Sequence, residues 1–84
     1  MPTLRSDIRA SFRPDGAAFM DPRSGNMYTL NASASLIAQS LRDGHSTTAA
    51  ADILASQFEL SKEKALASVE NFLEECRKAG LLSE

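Results

Sequence analysis

The sequence predicts one α+β domain in which three short strands precede three helices. Two observations carry this. Residues 8–30 alternate apolar and polar positions in short runs cut by two turn clusters. From Asn31 onward, capping residues introduce runs whose apolar positions recur at helical spacing. The length, 84 residues with 43% hydrophobic and 24% charged, suits a single small domain, which has little room for a deep enclosed site.

Each element follows from local chemistry. Residues 1–7 are polar and without period, and read as a flexible N-terminal tail before a domain spanning 8–84. Ile8 to Phe12 alternates as a half-buried strand does. Pro14-Asp15-Gly16 is a turn, because proline presets φ and glycine accepts a positive one. Ala17 to Met20 forms the second strand, Asp21 to Gly25 the second turn, and Met27 to Leu30 the third strand. Tyr28 and Leu30 share one face of it, Met27 and Thr29 the other. Two tight turns make an antiparallel meander.

Asn31 can cap the first helix, whose inner face carries Ala34, Ile37, Ala38 and Leu41 and which stops at Gly44. Leu36 lies opposite that face, an exposed leucine or a contact with a partner. Ser46 or Thr47 caps a second helix with Ala50, Ile53, Leu54 and Phe58 inward. Ser61 caps a third, ending at Gly80, after which Leu81 and Leu82 fold back onto the core.

At about 100° per residue, and with Ala65 at zero, Ala65, Val69, Phe72 and Cys76 of the third helix form one stripe. Leu66 and Leu73 lie on a shoulder at about 80–100°, bordered by Glu70 and Arg77 at about 120–140°. Two readings are open for that shoulder: it is core, or it lines a groove beside the third strand.

Composition excludes several functions. Net charge is −2, so a broad basic surface for nucleic acid or membranes is missing. The third helix sets Lys62, Lys64, Arg77 and Lys78 against Glu63, Glu70, Glu74 and Glu75. That balance argues against the competing reading, a DNA-binding winged helix-turn-helix regulator. A single cysteine, Cys76, allows no intrachain disulfide, and no apolar run suggests export or a membrane span, so a cytoplasmic location is expected. The lone His45 has no soft neighbours for a metal, and no nucleophile, phosphate-loop or dinucleotide motif occurs. No catalytic residue, metal or cofactor is expected, and the chain reads as a non-enzyme.

The third strand is the informative element, because a short meander leaves one of its edges unpaired, and a free edge is a template for another chain. The segment FMDPRSGNMYTLNASASLIAQSLRDG, a Ser/Thr-capped helix, and then ASVENFLEECRKAGLL resemble the PqqD-like family, the RiPP recognition elements (RiPPs are ribosomally made, post-translationally modified peptides). The resemblance covers residues 9–82. It rests on Asp21-Pro22 with Gly25, the Leu30-Asn31 junction, Asp43-Gly44, and Phe72-Leu73 followed by Gly80-Leu81-Leu82. It departs at Ser68 and at Thr48-Ala49, where the family often has acids, and at Cys76, where it often has leucine.

The resemblance implies a winged-helix-like fold. It also implies a peptide chaperone in biosynthesis that binds the leader of a precursor peptide by β-strand addition. The peptide is then presented to a maturation enzyme, which could be a radical SAM enzyme, a cyclase or a leader peptidase. The expected peptide-binding residues are Met27, Tyr28, Thr29 and Leu30 on the strand, with Leu66, Val69, Glu70, Leu73 and Arg77 on the third helix. A homodimer that fills its own edge is the remaining partner candidate.

Overall fold

A computed structural model describes residues 3–83. The element order is β1 (Thr3–Leu4), β2 (Arg9–Arg13), β3 (Gly16–Met20), β4 (Met27–Asn31), α1 (Ala32–Arg42), α2 (Thr47–Phe58), α3 (Lys62–Lys78) and β5 (Leu82–Ser83). Strands β2, β3 and β4 form the antiparallel meander, in that spatial order, and the helices follow it. The α+β architecture is the one the periodicity predicts.

All three expected helix caps form. Asn31 Oδ1 accepts from the Ala34 N–H at 2.9 Å, Ser46 Oγ from Ala49 at 3.1 Å, and Ser61 Oγ from Lys64 at 3.2 Å. At the end of α3 the Leu81 N–H donates to the Cys76 carbonyl and the Gly80 N–H to the Arg77 carbonyl. This double bond pattern needs the left-handed conformation that Gly80 supplies at φ 73°. It turns the chain sharply, buries Leu81 and delivers Leu82 to β5.

Two apolar clusters result. One joins the three helices through Ile37, Leu41, Leu54, Ala65, Val69 and Leu73. The other joins the sheet to α1, α3 and the C-terminal turn through Ala17, Phe19, Leu30, Ala38, Cys76 and Leu81. Phe58, expected inside, is 41% exposed instead. It is the last residue of α2, and the chain leaves the helix there through Glu59 in the left-handed region (φ 53°). Gly16 permits a close approach of β3 to β4, since a Cβ there would run into the Leu30 carbonyl oxygen.

From Thr3 onward, the segment that reads as a flexible tail is tied down; Met1 and Pro2 lie outside the described residues. Thr3 pairs with Ser83 and Leu4 with Leu82. Arg5 then acts as a rivet. Its guanidinium donates to both carboxylate oxygens of Asp7, to the buried Asp21 carboxylate at 2.8 Å and to the Gly80 carbonyl at 2.7 Å. Asp21 also accepts the Arg23 N–H, and Arg23 pairs with Asp7 at 3.0 Å. One arginine thus connects the N-terminal segment, the β3–β4 turn and the end of α3. Periodicity could not reveal this, because the bonds to Asp21 and Gly80 join groups far apart in sequence.

Candidate functional site

Strand β4 is an edge. It pairs with β3 in the register Gly16↔Asn31 to Met20↔Met27, and among the described residues no strand lies on its other side. Ladder alternation decides which backbone groups face outward. The Asp21 N–H donates to the Asn26 carbonyl at 2.9 Å, in step with the β3–β4 register. The bonded pairs therefore continue at Phe19–Tyr28 and Ala17–Leu30. Met27, Thr29 and Asn31 turn their amides the other way. The Asn31 carbonyl is engaged by the first turn of α1, as at any N-cap. The vacant groups are then the N–H and C=O of Met27 and Thr29 and the N–H of Asn31.

Beside this edge runs a trough of about 300 Å³. Tyr28 and Leu30 form its strand wall, Ala34 its α1 corner, and Phe72, Glu75, Cys76 and Ala79 its α3 wall, with Phe19 and Leu81 beneath. The lining is mostly apolar, with the exposed Glu75 as its acidic residue. Burial pushes the Cys76 thiol up to about 11, with a further contribution from the Glu75 carboxylate. A thiol held neutral in this way is a poor nucleophile and behaves as part of an apolar floor.

The four strand residues expected in the site lie together. Met27 is 73% exposed, Thr29 is exposed, Tyr28 half-buried and Leu30 buried. The five α3 residues are elsewhere. Val69 and Leu73 belong to the three-helix cluster, with Leu66 packed against it. Glu70, Leu73 and Arg77 border a separate hollow with Thr47, where Arg77 pairs with Glu74 at 3.0 Å. The trough uses the opposite shoulder of the stripe, at about −20° to −80°, where Phe72, Ala79 and Glu75 lie. Helix α2 covers the shoulder of Leu66 and Leu73, so of the two readings open for it, the core one holds. Helical periodicity gives the width of an apolar arc, but not which flank the sheet takes and which flank a second helix takes. The departure of Phe72 and Cys76 toward the sheet could have been suspected from Ala79, a small residue one turn further on.

Leu36 is half-buried against the three-helix cluster, near Pro14 and Phe58. Among the described residues there is no group of three His, Cys, Asp or Glu side chains able to hold a metal ion. No helix is long and apolar enough to cross a membrane.

Two solved structures superpose over nearly the whole chain. One is TbiB1 in complex with the TbiA(beta) leader peptide, at a TM-score of 0.89 and 16% identity, covering 96% of this chain and 94% of that one. The other is a lasso peptide synthetase B1 complexed with the leader peptide, at 0.88 and 30% identity, covering 99% and 98%. No curated protein matches the chain. The family model for coenzyme PQQ synthesis protein D matches residues 16–82, and the chain belongs to that PqqD family.

Proposed function

We propose that this domain binds the leader segment of a ribosomally made precursor peptide as an added strand on β4 and presents the peptide to a modifying enzyme. The observation that carries the reading is the vacant edge of β4 beside a mostly apolar trough. The likeness to two proteins solved with leader peptides supports it. Binding, rather than catalysis, is the domain's contribution. Its place of work is the cytoplasm, where ribosomal peptides are made.

The mechanism follows from strand chemistry. Main-chain bonds supply affinity, and alternate side chains supply choice. Leader residues opposite Met27, Thr29 and Asn31 meet the vacant amides and carbonyls. Those opposite Tyr28 and Leu30 direct their side chains into the trough, toward Phe72, Cys76 and Ala79. Glu75 favours a basic leader residue at the rim. About five bonds at roughly 1 kcal/mol each and two buried apolar side chains at about 1.5–3 kcal/mol each oppose an ordering cost of about 2–5 kcal/mol. The balance corresponds to a dissociation constant in the micromolar range or weaker, which suits a carrier that must release its cargo.

The decisive test is Thr29→Pro, titrated calorimetrically with the leader peptide of the lasso peptide synthetase B1 complex that this chain resembles, after its binding to the unaltered chain is measured. Proline removes one outward donor and bends the edge. Affinity is expected to fall by at least about tenfold, with the helical circular dichroism unchanged. Undiminished binding by a folded variant would defeat strand addition at β4.

A further inference from the structure

We infer that the opposite edge of the sheet, β2, is a second strand-accepting site, made for an acidic extended segment of a partner protein other than the leader. Like β4, β2 borders the meander on one side only. Since Phe19 and Ala17 direct their amides toward β4, Ala18 and Met20 direct theirs toward β2. Their partners Ser11 and Arg9 are thereby engaged, and Ala10 and Phe12 are left facing outward. A hollow of about 250 Å³ lies under that edge, with Leu4, Ile8, Phe12 and Leu41 in its lining.

Charge identifies the occupant. The chain has six arginines. Arg5, Arg23, Arg42 and Arg77 each pair with an acid, and the two that pair with none among the described residues are Arg9 and Arg13. Both are exposed and both lie on β2. An antiparallel strand added there meets Arg9, Ser11 and Arg13 in the non-hydrogen-bonded positions, where side chains on opposite strands come closest. Acids opposite Arg9 and Arg13, alternating with apolar residues over the hollow, complement the edge. Arg42 is stacked 4.5 Å over the Phe12 ring beside the hollow, with its charge shared with Asp43.

The same geometry disfavours one register of a second copy of this chain. A two-fold axis through Ser11 would set Arg9 against Arg13 of the other copy at both ends, and like charges directly opposed are destabilising. Because β2 and β4 are the two margins of one sheet, a segment on β2 and a leader on β4 can be held together.

The test is a heteronuclear NMR titration of the whole chain with an acetylated peptide of alternating glutamate and valine, beside a lysine–valine control. The glutamate peptide is expected to shift the Ala10 and Phe12 amides, and the lysine peptide to leave them unmoved. The double variant Arg9→Glu, Arg13→Glu should weaken the glutamate peptide by about tenfold and admit the lysine peptide instead. Arg9→Gln with Arg13→Gln is the milder form should the reversal unfold the chain. The inference is overturned by shifts confined to Met27 and Thr29, by no shifts, or by binding indifferent to charge. It is equally overturned if the chain sediments as a dimer whose Ala10 and Phe12 amides resist exchange. Leader binding at β4 is read separately at Thr29, so the two sites stand or fall independently.

Discussion

The two margins of the sheet offer similar backbone and different surroundings. At β4 the vacant amides belong to Met27, Thr29 and Asn31, whose side chains are uncharged, and the adjoining trough is apolar with Glu75 at its rim. At β2 the outward amides belong to Ala10 and Phe12, and the neighbouring side chains include two arginines that pair with no acid among the described residues. Unfilled hydrogen bonds make any edge sticky. They do not say what should stick. The floor and the rim decide that, as differences between competing partners.

The sharpest way to break this comparison is through the strand both margins share. Phe19 sits on β3, 1% exposed, and packs edge-on against Phe12 with ring centres 6.1 Å apart. Phe19→Ala should lower stability by about 3–5 kcal/mol, read as a shift of the urea midpoint. Binding at both edges should fail together. Survival of either alone would mean that its geometry does not depend on the common core.

Gly16→Ala separates the margins instead. The new methyl meets the Leu30 carbonyl across the β3–β4 ladder, a backbone atom with little freedom to move. The expected loss is about 1–3 kcal/mol. Amide exchange should accelerate on β4 more than in the middle of β2. Equal acceleration would show that β4 has no independent register constraint at Gly16.

How much of this was legible beforehand differs by element. The three meander strands fall within a residue or so of the alternating runs, and the three caps are Asn31, Ser46 and Ser61, because capping and alternation are local; the short β1 and β5 have no such pattern. The vacant β4 edge also follows locally, from strand number and turn length. The α3 wall does not. Phe72 and Cys76 were already on the apolar stripe, but only the tertiary path of α2 determines that Leu66, Val69 and Leu73 face it and that Glu75 and Ala79 face the trough. The Arg5 rivet was illegible for a related reason. A charged side chain sixteen residues from Asp21 gives no periodic signal of its destination.

That rivet is the next test, since it braces the turn that feeds β4 against the segment that leads into β2. Hydrogen bonds from Arg5 hold the Asp21 carboxyl down to about 2, against an ordinary value of 3.8, and hold the Asp7 carboxyl below its usual range as well. The stabilisation requires the ionised acids. It is therefore complete above about pH 4 and lost progressively as pH falls toward 2. Asp21→Asn should lower the thermal midpoint at neutral pH and flatten the acid limb of the stability curve. An unaltered acid limb would place the pH sensitivity elsewhere. Leader affinity should decline with the turn.

The smallest expected effect is the most discriminating for the α3 wall. Glu70 and Glu75 are both exposed carboxylates on one helix, and neither is needed for the fold. Exposed charge contacts are worth about 0.2–1 kcal/mol. Glu75→Gln should therefore change leader affinity by only a few-fold, with the change shrinking as salt is raised. Glu70→Gln should change it not at all, because Glu70 faces the hollow shared with Thr47 and Arg77 rather than the trough. The two variants remove the same charge from the same helix, so any difference between them in a salt-titrated calorimetric series reports which flank of α3 the leader touches. A response from Glu70 and none from Glu75 would move the groove to the shoulder of Leu66 and Leu73, and would require the leader to lie across α3 rather than along β4.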